Sequence, residues 1–112
     1  MSLKRSISSK EGFSDIFDNP DRKHSTKNIL ILSKKNSLGF SRIGVAIRKK
    51  DNKLAVDRNN IKRKIKGSFL AKVLELPHKD FVVYVKKNLK GKEEELKEDL
   101  DKIWERFTGN ND

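Results

Sequence analysis

The chain has 112 residues, of which 34% are hydrophobic and 38% are charged. This length predicts one small domain over residues 1–112, with residues 1–6 loosely ordered and residues 108–112 forming a flexible tail. Cysteine is absent, which excludes a disulfide framework and a thiolate site. No apolar run approaches the roughly 20 residues that span a bilayer. We therefore expect a cytoplasmic protein with no membrane partner.

The charge is strongly positive and unevenly distributed. Lys and Arg number 27 against 16 Asp and Glu, giving a net charge of +11. Residues 41–90 carry 15 basic and 4 acidic side chains, whereas residues 91–112 carry 4 basic and 8 acidic ones. A concentrated excess of this kind indicates a polyanionic partner, of which nucleic acid is the commonest. Composition alone does not separate RNA from DNA.

A short amphipathic helix is predicted near the N-terminus. Ser8–Glu11 matches a capping box, in which the serine hydroxyl and the glutamate each satisfy a free backbone amide. Phe13, Ile16 and Phe17 follow at helical spacing, and Pro20 ends the element.

Two strands are predicted next, at Asn28–Leu32 and Leu38–Arg48. The polar turn between them, Ser33–Ser37, is short, which favours an antiparallel hairpin. The polar segment Asp21–Lys27 before them is predicted to be a loop that leaves His24 in solvent.

The second half alternates helix, strand and helix. A helix is predicted from Leu54 to about Glu75, a strand at Phe81–Val85 and a last helix from about Lys92 to Phe107. The last helix has an acidic outer face and should lie away from nucleic acid. The order α-β-β-α-β-α predicts an α+β, two-layer sandwich in which helices pack on a small mixed sheet.

The central helix combines core and cationic residues. Five of the nine residues from Arg58 to Lys66 are Lys or Arg, yet Ile61 and Ile65 are four apart, as a buried helix face requires. The cations, predicted to be exposed, are centred roughly 110° around the axis from the isoleucines. A solvated basic face is the alternative, but the near absence of acidic partners favours phosphate binding.

These residues resemble a known signature. Lys49-Lys50, followed by Leu54-Ala55-Val56-Asp57-Arg58-Asn59-Asn60-Ile61-Lys62-Arg63, is similar to the motif of the bacterial ribonuclease P protein subunit. The resemblance extends to Lys4-Arg5 with Ile7–Phe13, to Arg42–Ile47 and to Asp80–Val85. Asn60 and Lys66 stand where the family usually has arginine. An asparagine lacks the charge, and a lysine lacks the planar guanidinium fork.

The resemblance implies a fold, a partner and a division of labour. The expected fold is like domain 2 of ribosomal protein S5, with a left-handed βαβ crossover. In the family, the RNA subunit and its bound Mg²⁺ catalyse removal of the 5′ leader from precursor tRNA, and the protein has no catalytic residue. Carried over, the contacts with the RNA subunit and nearby metal ions belong to Arg58, Asn59, Asn60, Lys62, Arg63 and Lys66. The leader would lie in a cleft between the first helix and the sheet, lined by Phe13, Phe17, Lys49 and Lys50.

Other readings of the residues remain open at this level. Phe13 and Phe17 could equally pack in the core. The basic helix would also suit a ribosomal or other structured-RNA-binding protein without a processing role. A DNA-binding regulator is less well supported, since strands flank the central helix and no helix-turn-helix pair is evident. No DNA partner is expected.

Overall fold

The computed structural model describes residues 13–36 and 39–108. Three helices and four strands alternate along this part of the chain. They are α1 Phe13–Asp18, β1 Arg22–Ser25, β2 Ile29–Lys35, β3 Arg42–Ile47, α2 Ala55–Lys72, β4 Lys79–Val85 and α3 Glu93–Thr108. None of the described helices is long and apolar enough to cross a membrane.

The four strands form one mixed sheet in the order β1-β2-β4-β3. β2 pairs antiparallel with both β1 and β4, whereas β3 and β4 are parallel. Parallel neighbours need a crossover between them, and α2 supplies it. The α+β architecture is confirmed, and the left-handed sense of the crossover stays a prediction.

The predicted hairpin of β2 and β3 is wrong, because β4 lies between these strands. Phe81, Val82, Val83 and Val85 of β4 are all fully buried, so both faces of this strand are apolar. A strand with two apolar faces is stable only in the interior of a sheet that is covered on both sides. Although only a short connection separates β2 from β3 in the sequence, β3 therefore lies on the far side of β4 from β2.

Two further predictions fail in the N-terminal half. The segment Asp21–Lys27 contains strand β1, and β2 continues through Ser33 to Lys35 where a turn was expected. β1 is an edge strand with one solvated face, so its sequence has no apolar pattern. His24 is half-buried, with its ring 4.9 Å from that of Phe107.

The remaining predicted boundaries differ little from the structure. α2 ends at Lys72 rather than near Glu75, and α1 is described from Phe13 onward. The proposed capping box Ser8–Glu11 and the terminal segments 1–6 and 109–112 lie outside the described residues.

The larger core lies between the sheet and the two long helices. Ile61, Ile65 and Phe69 are buried along one side of α2. An aromatic cluster of Phe69, Phe81 and Trp104 lies at the centre, with ring centroids 5.5–6.2 Å apart and edge-to-face packing. Such pairs add about 0.5–1.5 kcal/mol each beyond the area they bury. The Trp104 Nε1–H donates to Ser68 Oγ at 2.9 Å, so the indole is satisfied inside the core.

The opposite face of the sheet carries α1. Ile16 is buried against Leu32 and Val82, with Leu30 partly buried beside them. The alternation of side chains along β2 and β4 sends these residues away from α2. The sheet therefore has one fully covered face and one that α1 covers in part.

An ion pair joins β3 to β4 at their N-terminal ends. Arg42 Nε donates to Asp80 Oδ1 at 2.9 Å and its Nη2 donates to Oδ2 at 2.7 Å, while Asn36 Nδ2 donates to Oδ1 at 2.8 Å. Burial alone would raise the pKa of Asp80, but the hydrogen bonds from Arg42 and Asn36 outweigh it and lower the pKa below 3.8. The folded protein therefore favours the carboxylate.

Replacing Asp80 by Asn should lower the free energy of unfolding by about 1–3 kcal/mol at neutral pH, because the half-buried Arg42 guanidinium loses a charged acceptor. The folded pKa is the lower one, so this stability is present above about pH 4 and is lost as the pH falls through the folded value. Urea unfolding of both proteins from pH 7 to pH 3 measures the difference.

Asp51→Asn is the matched control, since Asp51 pairs with the more exposed Arg48 and should cost less than about 1 kcal/mol. Equal losses for the two variants would contradict the special role of Asp80.

Candidate nucleic-acid interface

α2 separates a buried side from a cationic one. Its buried residues recur about once per turn, which fixes the rotation of the helix on the sheet. Lys62 and Arg63 are exposed and Lys66 is half-buried. These three residues, with the exposed Asn59, form what we call the α2 cationic face. Asp57 is the only acidic residue of α2.

Arg58 differs from its predicted role as a freely exposed cation. Its side chain is half-buried, and Nη1 donates to the carbonyl oxygens of Asn52 at 3.0 Å and Lys53 at 2.8 Å. Its position near the buried side of the helix brings the guanidinium back onto the preceding loop. Arg58 therefore fixes the loop before α2 to the first turn of the helix, and its positive charge lies at that turn.

Asn52 completes this connection. The residue is 1% exposed. Its Nδ2 donates to the Lys87 carbonyl at 3.0 Å, and its Oδ1 accepts from the Leu89 amide at 3.1 Å. The side chain thus ties the loop before α2 to the turn before α3. Sequence reasoning missed Asn52, because a buried asparagine in a polar loop has no periodic signal.

Lys49 and Lys50 are displayed on a tight turn. Both are exposed, and the amides of Asp51 and Asn52 donate to the Arg48 carbonyl across them at 3.2 Å. The Arg48 Nε–Asp51 Oδ2 contact of 2.8 Å closes the same turn through side chains. The two lysines therefore point into solvent from a fixed backbone.

Asn60 lies apart from the α2 cationic face. It lines a small pocket of about 40 Å³ beside the start of α3, together with Asp57, Lys64 and Glu93. Lys64 Nζ is 3.6 Å from Glu93 Oε1, so this side of α2 meets the acidic helix. An arginine at position 60 would stand next to carboxylates rather than in line with Lys62 and Lys66.

Aromatic and cationic side chains meet on the sheet face that carries α1. Phe17 is 36% exposed, and its ring packs edge-to-face on Tyr84 at 6.1 Å. The Arg48 guanidinium lies 5.9 Å from the Tyr84 ring centre. We call Phe17, Tyr84 and Arg48 the aromatic edge. Phe13 is the first residue of α1, but only its backbone is described, so its predicted role in the leader cleft falls outside the described part of the structure.

Tyr84 and Arg48 were not among the predicted site residues. The alternation of β4 contained the signal, since Tyr84 lies between the buried Val83 and Val85 and must face the other side of the sheet. The packing of Ile16 on Val82, which shares a face of β4 with Tyr84, shows that this side is the one occupied by α1. Phe17 is thus a surface residue with an aromatic neighbour rather than a core residue.

The described residues hold no group of three or more His, Cys, Asp or Glu side chains that could bind a metal ion. The cationic and aromatic groups are of the kind that contact phosphates and stack on bases. Fold and surface together define a small, basic nucleic-acid-binding protein of the α+β class.

Comparison with known proteins identifies the family. The family model described as Ribonuclease P matches residues 1–108. Ribonuclease P protein components from Cronobacter sakazakii and Pseudomonas aeruginosa are 43% and 39% identical over 95 and 108 residues. Those alignments cover 84% and 96% of this chain, and 79% of each relative. The solved RNase P protein of Staphylococcus aureus superimposes with a TM-score of 0.79 at 21% identity, covering 90% of this chain and 93% of that one.

The chain therefore belongs to the ribonuclease P protein components. Membership makes it an RNA-binding component of a ribonuclease, with ribonuclease P RNA as its partner and tRNA processing as its task. The resemblance of the motifs to this family is confirmed.

The different environments of Arg58 and Lys62 lead to a testable contrast. Arg58→Ala should lower the free energy of unfolding by about 1–2 kcal/mol, because two hydrogen bonds to carbonyls are lost. Lys62→Ala should change it by less than about 0.5 kcal/mol and reduce the salt slope of RNA binding by about 1. Urea unfolding and RNA binding at several salt concentrations measure both. Unchanged stability in Arg58→Ala would show that its hydrogen bonds are unimportant.

Proposed function

We propose that this protein assists the RNA subunit of ribonuclease P in removing the 5′ leader from precursor tRNA in the cytoplasm. Catalysis belongs to the RNA subunit, which also binds most of the Mg²⁺ ions. The protein contributes binding energy and orientation. The observation that carries this proposal is the α2 cationic face, held rigidly by the core on a chain that belongs to this family.

The α2 cationic face is suited to the RNA subunit. Lys62 and Lys66 are one turn apart, or about 6 Å along the axis, which matches the spacing of successive phosphates along a strand. Few carboxylates compete for these cations, because the acidic residues of the chain are concentrated on α3. Asn59 adds hydrogen-bonding groups next to the lysines. In this proposal, Asn60 contributes least, since it faces α3.

The aromatic edge is suited to the single-stranded leader. Phe17 presents part of an apolar ring to solvent, and Tyr84 and Arg48 continue the surface across the sheet. Stacking on such rings accepts any base, and the exposed Lys49 and Lys50 can follow the backbone. This arrangement would bind leaders of differing sequence.

Reconstitution tests the proposal directly. At low Mg²⁺, the protein with a ribonuclease P RNA should cleave precursor tRNA faster than the RNA alone, because bound cations reduce repulsion between the two RNAs. Lys62→Ala/Arg63→Ala should reduce this stimulation while the thermal transition is retained. Tight RNA binding by a folded protein without any stimulation would instead describe a general structured-RNA-binding protein.

Replacing Phe17 by Ala should weaken binding of precursor tRNA by about fivefold or more, since one stacked base is worth about 1–3 kcal/mol. Binding of mature tRNA, which lacks the leader, should not change. Leu74→Ala is the matched control, because Leu74 is 93% exposed and lies beyond the far end of α2. Equal weakening for precursor and mature tRNA would overturn the assignment of Phe17 to the leader.

A further inference from the structure

A second group of cationic side chains lies at the end of the sheet where β1 and β4 begin. An open pocket of about 280 Å³ is formed where β1, β4 and the last turn of α3 meet. Within residues 13–36 and 39–108, no carboxylate is among the side chains that line it. They are Arg22, His24, Pro77, Lys79, Arg106 and Phe107. We call this the His24 pocket.

The topology separates the His24 pocket from the α2 cationic face. β1 and β4 are both antiparallel to β2, so Arg22 and Lys79 lie at the same end of the sheet. Lys79 follows the C-terminal end of α2, whereas the α2 cationic face ends at Lys66. The helical rise to Lys72 is about 15 Å from Lys62 and about 9 Å from Lys66. The pocket therefore lies beyond the C-terminal end of the α2 cationic face.

The pocket concentrates positive charge around a half-buried imidazole. Desolvation by burial lowers the pKa of His24 most, and Arg106, Arg22 and Lys79 lower it further from three different elements. Asp21, the acidic residue nearest to His24 in sequence, accepts the Lys35 amide through its Oδ2 at 2.7 Å. The lining side chains in the described part of the chain supply no counterion to the cations of the pocket.

Phe107 gives the pocket a fixed wall. Its ring packs edge-to-face on the buried Phe81 at 5.0 Å and on His24 at 4.9 Å. Lys79 Nζ lies 5.7 Å from the centre of the same ring. The imidazole and the lysine are thus positioned by an aromatic group that is itself held in the core.

We propose that the His24 pocket binds a phosphate group of an RNA strand, as a second RNA contact of this protein remote from the α2 cationic face. The chemistry is that of an oxyanion among guanidinium and ammonium donors, which form the strongest hydrogen bonds to phosphate, with the His24 imidazole beside them. Arg22 and Arg106 are exposed, so the pocket opens to solvent and can admit one phosphate of a continuous chain. The choice of RNA as the source of the phosphate rests on the proposed function.

The first experiment follows both histidines of the intact protein by NMR. His78 lies between Pro77 and Lys79 in the sequence, but it is exposed and does not line the pocket, so it serves as the internal control. Inorganic phosphate should raise the pKa of His24 by about half a unit or more, relative to chloride at equal ionic strength, because the anion favours the charged imidazolium. His78 should change much less. Equal changes for both histidines would overturn the site.

The second experiment identifies the source of the phosphate. Arg22→Ala/Arg106→Ala should reduce the salt slope of binding to ribonuclease P RNA or precursor tRNA by about 1, since one neutralised phosphate releases about one counterion. Lys97→Ala/Lys102→Ala removes the same charge from exposed positions of α3 and is the control. Circular dichroism verifies folding. If His24 responds to inorganic phosphate but the two double variants have the same salt slope of RNA binding, the assignment of the phosphate to RNA is overturned.

The outcomes separate this proposal from the proposed function. Stimulated precursor cleavage by the unmodified protein, without a selective response of His24 to phosphate, overturns the His24 pocket alone. A selective response and a reduced slope, without stimulated cleavage, support the pocket as an RNA phosphate site and overturn the processing role alone.

Discussion

The packing of Phe69, Phe81 and Trp104 is the contact on which the rest of the structure depends. It joins α2, β4 and α3 at one point, and each ring meets the other two edge-to-face. Once Phe69 is fixed there, Ile65 and Ile61 must face the sheet one and two turns earlier, respectively. The α2 cationic face then points to solvent without any further interaction. The orientation of the RNA-binding surface is thus a consequence of the core.

This arrangement tolerates a helix that would be poor on its own. Like charges four residues apart destabilise a helix by a few tenths of a kcal/mol per pair, and α2 has two such pairs, Arg58–Lys62 and Lys62–Lys66. Burying an isoleucine or phenylalanine contributes about 1.5–3 kcal/mol, so three buried residues outweigh the repulsion. α3 shows the opposite design, with acidic residues in its first turn. Lys64 pairs with Glu93 of α3, whereas Lys62 and Arg63 are exposed and available to phosphates.

The sequence predicted those parts of the molecule that have a helical period. The buried side of α2 follows from the spacing of Ile61 and Ile65 alone, and it is observed. Strand β1 was missed because an exposed edge strand needs no apolar alternation. The position of β4 was missed because sequence distance does not determine strand order. Arg58 was misjudged because its partners are backbone carbonyls of a loop, which no side-chain pattern announces.

The same backbone contacts explain how separate surfaces can act together on one RNA partner. Asn52 links the loop before α2 to the turn before α3, and Arg58 fixes that loop to the helix. Lys49 and Lys50 therefore keep a set position relative to Lys62. Arg48, at the end of β3, connects this turn to the aromatic edge through Tyr84. Because these groups are ordered before RNA arrives, less conformational entropy is lost on binding, and affinity rises without additional contacts.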